Sequence, residues 1–283
     1  MSLLTATARA KINLTLRVVG RRADGYHLLD SLVAFTDLGD GLTVETADSL
    51  SLVLTGPFAS ELTAESDNLV LRAARALAPD RGARITLDKR LPIASGIGGG
   101  SADAAAALLL LDELWGLSTP PDRLHQIALS LGADVPVCLA GRPARMGGIG
   151  DELLPAPELP AAALVLVNPR IACPTPKVFG ARTGSFSLPM LGVPDRISDV
   201  SQLASLIERG GNDLSRAAMS LVPEIASALS AMRHQAGCYT ASLSGSGATS
   251  FALFADLGGA NNAAAAIKGE RPNWWVAATR LST

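Results

Sequence analysis

Aromatic side chains are scarce in this chain. Six Phe, three Trp and two Tyr make up 4% of 283 residues, while 48% of the residues are hydrophobic. A core of that composition is filled mainly by alanine and leucine, and the length suits one large domain or two modest ones. Cysteine is scarcer still. Cys138, Cys173 and Cys238 stand far apart without a Cys-x-x-Cys pair, which argues against a disulfide framework or a structural zinc site and suits a reducing compartment. His27, His125 and His234 are equally dispersed, with no metal-ligand spacing. Nor is there an excess of positive charge. Lys and Arg number 24 against 26 Asp and Glu, a net charge of −2, which argues against a nucleic-acid binder that relies on a basic surface. No run of about 18 apolar residues occurs, and Arg9 and Lys11 break up the N-terminal segment. Neither a membrane span nor a signal peptide is therefore expected, and a soluble cytoplasmic protein is.

What the chain has in plenty is glycine in one place. Gly96, Gly98, Gly99 and Gly100 fall within five positions. Residues 83–89, just before, read as a strand, and the Ala/Leu run 102–114 reads as a helix. A glycine loop opening onto a helix N-terminus gathers unpaired backbone N–H groups and the positive helix end around one point, a recipe for binding phosphate. Glycine also lets the backbone approach an anion without a Cβ in the way. Two commoner phosphate motifs are absent. No lysine follows these glycines as a P-loop requires, and counting from Gly96 the last position of a dinucleotide fingerprint is Ser101. A plain connecting turn is the alternative, but such a turn has little need for so many glycines.

Residues 5–18 alternate in part, with Ile12, Leu14, Leu16 and Val18 on one side and Lys11, Asn13, Thr15 and Arg17 on the other. This reads as a strand with one buried face. A polar loop at 20–26 follows, then strands at 28–35, 42–46 and 50–54. A helix is expected over 68–77, capped by Asp67 or Ser66, and another over 122–130 behind Pro120 and Pro121, ended sharply by 131–136. Pro155, Pro157 and Pro160 mark a boundary, dividing the chain into domains at 1–155 and 156–283. Beyond it come a strand at 163–167 and an ordinary loop at 183–193. Helical stretches are expected at 175–182, 200–208, 212–220, 223–234 and 259–268, and strands at 239–243, 249–254 and 274–279. Strands and helices mixed without strict βαβ alternation point to an α+β fold.

Four groups could carry chemistry. Lys11 lies within an apolar strand and could offset the charge of a phosphoryl group; taken alone, a lysine on the exposed strand face is the simpler reading. Asp134, in an apolar neighbourhood ahead of Val135-Pro136, could accept a proton from an attacking hydroxyl, or serve as a helix N-cap or turn residue. Tyr26 and His27 could stack on and hydrogen-bond a planar base, or Tyr26 could pack in the core. The run Ser244-Gly245-Ser246-Gly247-Ala248 could bound a phosphate or a substrate tail, or form a hairpin turn.

Together these segments resemble the GHMP kinases. The likeness rests on Ala10-Lys11-Ile12-Asn13-Leu14 with Gly25-Tyr26-His27, on 92–103, on Gly132-Ala133-Asp134-Val135-Pro136, and on 244–248. It spans nearly the whole chain. The first and third motifs are similar to those of the members that phosphorylate the 2-hydroxyl of a cytidine-diphosphate-linked methylerythritol, an isoprenoid precursor. The resemblance implies a two-domain architecture with an ATP-binding cleft between the domains, ATP as co-substrate, and Mg²⁺ on its oxygens with no protein ligand assigned. It implies Asp134 as the base and Lys11 as the group that holds it in register. Pro92, Ile93, Ala94, Ser95, Gly96, Ile97, Gly98, Gly99, Gly100, Ser101 and Ala102 would wrap the ATP phosphates, with Asn68 and Lys89 near the adenosine. Asn13, Tyr26, His27, Thr175, Phe179, Gly245 and Gly247 would bind the acceptor, Tyr26 and Phe179 covering the two faces of the cytosine. The implied partner is a small molecule, not nucleic acid or membrane; the oligomeric state is left open. Ala94-Ser95 stand where members often have further glycine, and Asp103 where some have asparagine. The competing expectations are a homoserine- or mevalonate-type kinase of the same family, whose acceptors offer Tyr26 and His27 no base, and a non-catalytic nucleotide-binding module.

Overall fold

A computed structural model describes residues 3–62, 64 and 67–282. In chain order the elements are β1 (Leu3–Asn13), β2 (Arg17–Arg21), β3 (His27–Thr46), β4 (Leu50–Thr55), α1 (Leu69–Leu77), β5 (Ala83–Asp88), α2 (Gly99–Trp115), α3 (Pro121–Leu131), α4 (Val135–Ala140), β6 (Ala144–Gly147) and β7 (Glu152–Pro155). Then come β8 (Ala163–Asn168), α5 (Thr175–Ala181), α6 (Val200–Gly210), α7 (Ser215–Leu221), α8 (Glu224–Arg233), β9 (Thr240–Leu243), β10 (Ser250–Phe254), α9 (Leu257–Glu270) and β11 (Trp275–Ser282). The mixture is α+β, as the sequence predicts. Compactness groups the chain differently from a cut after residue 155: one unit comprises 1–10, 38–93 and 98–141, the other 11–37, 94–97 and 142–283. The long strands β1 and β3 each supply residues to both, which a boundary read from prolines cannot register.

In the first unit β4 runs parallel to β5, and β5 runs antiparallel to the second half of β3, with Gly41 opposite Asp88 and Thr46 opposite Ala83. Three helices, α1, α3 and α4, gather around α2. Its residues from Ala102 to Leu108 are all buried, so small alanines let neighbouring helices approach from several sides. Gly116, in the left-handed region at φ +63°, ends α2 by turning its N–H back onto Asp112 and Glu113. The expected cap of α1 is corrected. Asp67 does not fill that role; Asn68 does, accepting from Val70 N at 3.0 Å, and the other candidate, Ser66, lies outside the described residues.

In the second unit an antiparallel sheet runs β9–β10–β8–β11. Every residue of β8 and β10 is buried, as expected of central strands covered on both faces, and α8 and α9 pack on them. Val165, Val167, Ile225, Met232, Ala252 and Phe254 belong to one core with Leu16 and Val18. The segment 183–193 has no helix or strand, as expected, but it is fastened down. Ser187 N donates to Val18 O at 2.9 Å, Arg17 Nη1 to Leu188 O at 3.0 Å, and Met190 N to Asp30 Oδ2 at 2.5 Å.

Several elements differ from expectation. The strands at 28–35 and 42–46 are one 20-residue strand, β3. Asp37 to Gly41 reads as a polar break, yet Gly39 lies so close to β1 that a Cβ there would overlap the Ala8 carbonyl and the Arg9 Cα. Strand 5–18 is interrupted at 14–16, and β2, α4, β6 and β7 were not foreseen; each is short, or carries too few apolar residues to show a period. Gly39→Ala is expected to lower stability by about 1–3 kcal/mol, the range for overpacking a tight contact. Urea unfolding measures this, and an unchanged midpoint would show that the two strands can separate without penalty.

Candidate active site

The outward face predicted for β1 is not outward. Lys11, Asn13 and Thr15 are 3%, 4% and 2% exposed, so both faces of this stretch are covered and its polar groups must find partners. Lys11 Nζ donates to Asn13 Oδ1 at 2.9 Å, and Asn13 Nδ2 donates to Ser31 Oγ at 2.8 Å. Ser31 Oγ in turn donates to Thr15 O at 2.6 Å, and Thr15 Oγ1 accepts from Leu32 N at 3.0 Å. A buried ammonium held by a side-chain amide is a poor choice for mere solubility and a good one for meeting an anion.

Beside this ladder runs the segment 94–97 of the glycine loop. Lys11 N donates to Ile97 O at 3.0 Å and Thr249 N to Ser95 O at 3.0 Å. Ser244 Oγ donates to Gly96 O at 2.9 Å while accepting from Asn13 N at 3.1 Å. Gly96 has φ +75°, and a Cβ there would stand 2.5 Å from Ser244 O and 2.6 Å from Gly247 O; only glycine fits. Ala94 also takes a left-handed φ, +48°, so alanine follows the path that glycine would. The turn 244–249 is the link between β9 and β10, as the hairpin reading has it, and it also clasps the loop. Asn212 Nδ2 holds that turn by donating to Leu243 O and Gly245 O, both at 2.8 Å, and Thr175 Oγ1 lies 2.7 Å from Ser246 Oγ. Asn212 was not singled out from the sequence, where an Asn following two glycines is only a weak signal; Ser244 was read as part of the 244–248 run, but nothing local signals its bond to Gly96 O.

The hairpin between β2 and β3 presents Tyr26, which is 61% exposed, so the core reading of that ring is excluded. Gly25 at φ +93° and a bond from Tyr26 N to Asp24 Oδ1 shape the tip. His27 stacks on Phe179 with ring centroids 4.9 Å apart and planes 25° from parallel. Phe179 thus packs face to face against the His27 ring. Burial, reinforced by the Arg21 and Arg182 guanidiniums, holds the imidazole below its usual pKa, so His27 is neutral around neutral pH and offers one donor and one acceptor.

In the first unit, Gly98 at φ +67° turns the chain into α2, and Ala102 N closes the first turn on Gly98 O at 2.8 Å. The helix therefore starts at Gly99, inside the glycine run, and Gly99, Gly100 and Ser101 present N–H groups with no acceptor in the helix. Pro92 and Ile93 lead into the loop from β5. Lys89 is 2% exposed and pairs with two carboxylates, Asp40 Oδ2 at 2.5 Å and Asp103 Oδ2 at 2.7 Å. Burial opposes its charge, but Asp103 and Asp40 outweigh burial and hold the ammonium above its ordinary pKa. Asp40 was not anticipated. Asn68 caps α1. Asp134 occupies the N-cap position of α4, as the alternative reading has it, but its side chain makes no capping bond there.

Two family models match: GHMP kinases N terminal domain over residues 68–142 and GHMP kinases C terminal over residues 196–272. The chain belongs to the GHMP kinase family, and as such is an ATP-using kinase. Its full-length relatives are more specific. It is 54% identical over 98% of both chains to a protein of Cereibacter sphaeroides named 4-diphosphocytidyl-2-C-methyl-D-erythritol kinase. A protein of Paramagnetospirillum magneticum with the same name is 51% identical over 99% of both. Among solved structures, a 4-(cytidine 5'-diphospho)-2C-methyl-D-erythritol kinase superposes with a TM-score of 0.80 at 35% identity, covering 99% of this chain and 100% of that one. Homoserine kinase from Cytophaga hutchinsonii shares the fold, with a TM-score of 0.70 at 20% identity over 100% of this chain and 95% of that one. No helix among the described residues is long and apolar enough to cross a membrane.

Ser244→Ala removes a donor from Gly96 O and an acceptor from Asn13 N together. Leaving both buried groups unpaired is expected to cost about 1–3 kcal/mol, read as a lowered urea midpoint. A midpoint equal to that of the wild type would mean that the turn does not hold the loop.

Proposed function

We propose that this kinase transfers the γ-phosphoryl group of ATP to the 2-hydroxyl of 4-diphosphocytidyl-2-C-methyl-D-erythritol, a step towards isoprenoid precursors. The full-length identity to relatives of that name carries the reading. The fold does not, because homoserine and mevalonate kinases share it. The site supports the same acceptor. In a chain with few aromatics, Tyr26 is exposed next to the His27–Phe179 stack, a combination suited to a flat base carrying polar edges. Homoserine and mevalonate have no such base.

The chemistry is an in-line displacement dominated by positioning and electrostatics. Asp134 takes the proton of the 2-hydroxyl as its oxygen attacks the γ-phosphorus, and ADP departs. The Lys11 ammonium, oriented by Asn13 Oδ1 at 2.9 Å, offsets the negative charge that develops on the transferring group. Backbone N–H groups at the start of α2 and along 94–97 hold the phosphates, with Asn68 and Lys89 on the adenosine side. Tyr26 and Phe179 bound the cytosine, neutral His27 reads its edge, and Thr175, Gly245 and Gly247 line the path of the acceptor's tail. Mg²⁺ would accompany ATP on its phosphate oxygens and offset part of their charge. The three free cysteines suit the cytoplasm.

ADP release measured with MgATP and each of the three acceptors tests this reading. Turnover with the cytidine substrate alone is expected; activity with homoserine or mevalonate instead would refute the acceptor while leaving the kinase. Asp134→Ala is expected to abolish transfer yet still be stabilised thermally by cytidine nucleotides, and full activity would remove Asp134 as the base. Tyr26→Ala is expected to weaken acceptor binding by about 1–3 kcal/mol, seen in KM, which must rise if the ring stacks on the base.

A further inference from the structure

Asp40, Lys89 and Asp103 form a buried charge cluster in which the proposed chemistry gives the two carboxyl groups no part. Two carboxyl groups share one ammonium, and all three side chains are at most 3% exposed. The two carboxyls are not equivalent. Asp40 Oδ1 accepts from Arg90 N at 2.6 Å and Leu91 N at 2.8 Å, and Asp40 Oδ2 accepts from Lys89. Asp103 receives a single bond, from Lys89 at 2.7 Å, and its Oδ1 is buried with no partner. With both carboxyls ionised the cluster would carry an uncompensated negative charge in a site closed to water, a costly arrangement. It sits directly under the phosphate-binding turn. A Cβ on Gly99, the first residue of α2, would stand 3.1 Å from Lys89 Nζ, and Asp103 is itself on that helix, one turn further on.

We infer that Asp103 is a positioning residue for ATP: with Lys89 and Asp40 it sets the first turn of α2, and it does so as the neutral acid, with the triad's one proton on its unpartnered side. This rests on the reading that the start of α2 holds the ATP phosphates. Asp40, with its backbone donors, stays the anion that balances Lys89. Burial above all, opposed by Lys89 and reinforced by Asp40, pushes the Asp103 carboxyl up to about 7. Lys89, following β5, and Asp40, on β3, are the charged groups acting on it among the described residues. None comes from α1, α3 or α4, the helices packed on α2. As pH rises through that value, a full negative charge appears within the first turns of the helix whose N-terminus must attract a triphosphate. The folded-state pKa lies above the unfolded one, so the folded chain binds more protons between the ordinary carboxyl range and about 7; stability falls as pH rises across that range and levels off above it.

Full-length wild type and Asp103→Asn are compared by ATP saturation kinetics from about pH 6 to about pH 9 with the acceptor saturating, and by ligand-free thermal unfolding from about pH 4.5 to about pH 8. Asparagine is neutral at every pH and nearly isosteric. The wild-type KM for ATP is expected to rise about threefold or more above neutrality, while that of Asp103→Asn stays at the low-pH value. The kcat profiles of the two are expected to run parallel. The wild-type Tm is expected to fall relative to that of the variant as pH rises. Parallel KM profiles, or equal pH dependence of Tm, would overturn the inference. Absence of ADP release by either protein with any acceptor would refute the kinase reading, and the unfolding comparison would still decide the role of Asp103. If Asp103→Asn does not fold, carboxyl-¹³C aspartate NMR of the wild type decides it. One aspartate titrating near neutrality is expected, and every aspartate titrating in the ordinary acidic range overturns the inference.

Discussion

The glycine segment 94–97 has no secondary structure of its own, yet its shape decides what the rest of the second unit can do. Three distant stretches of chain hold it: Lys11 N on β1, Ser244 Oγ before the β9–β10 turn, and Thr249 N after it. Each bond goes to a backbone carbonyl, so the loop's amides are left to point elsewhere. The same Ser244 hydroxyl accepts from Asn13 N, which ties the loop to the strand that carries Lys11. Preorganisation of this kind matters for phosphoryl transfer, where donors already in place need no rearrangement as charge moves.

A second constraint comes from burying charge. Lys11 and Lys89 are both nearly inaccessible, but they are satisfied differently. Lys11 Nζ donates to the side-chain amide of Asn13, whereas Lys89 lies between two carboxyl groups. What stands within about 3 Å of an ammonium matters most in a low-dielectric surrounding, where the nearest partners dominate.

Much of the fold was legible along the chain. The strand–glycine loop–helix unit around 83–115, the fully apolar strand β8 and the run of helices and strands from α5 to β11 all follow from period, punctuation and length. The candidate site was legible where a motif is local, as with the glycine run, Tyr26-His27, and Asp134 ahead of Val135-Pro136. It was not legible where a side chain acts through residues far away in sequence. Asp40 lies 49 residues from Lys89, and Ser244 lies 148 from Gly96. The strand β3 was read as two pieces because the close approach of β1 that makes Gly39 fit within a continuous strand has no local signature.

The sequence by itself determined the α+β class, the backbone freedom of the glycine loop, and the residue types available for kinase chemistry, because backbone freedom, helix periodicity and side-chain functional groups are properties of short stretches. Tertiary structure alone decided that the polar side of β1 is buried rather than wet. It also decided that Phe179 stacks on His27, and that Asp103 shares Lys89 with Asp40 while one of its oxygens goes unpaired. The physical reason is that burial and pairing depend on which distant segments exclude water from a group. The alternation of residues along one strand carries no information about what will be laid over it.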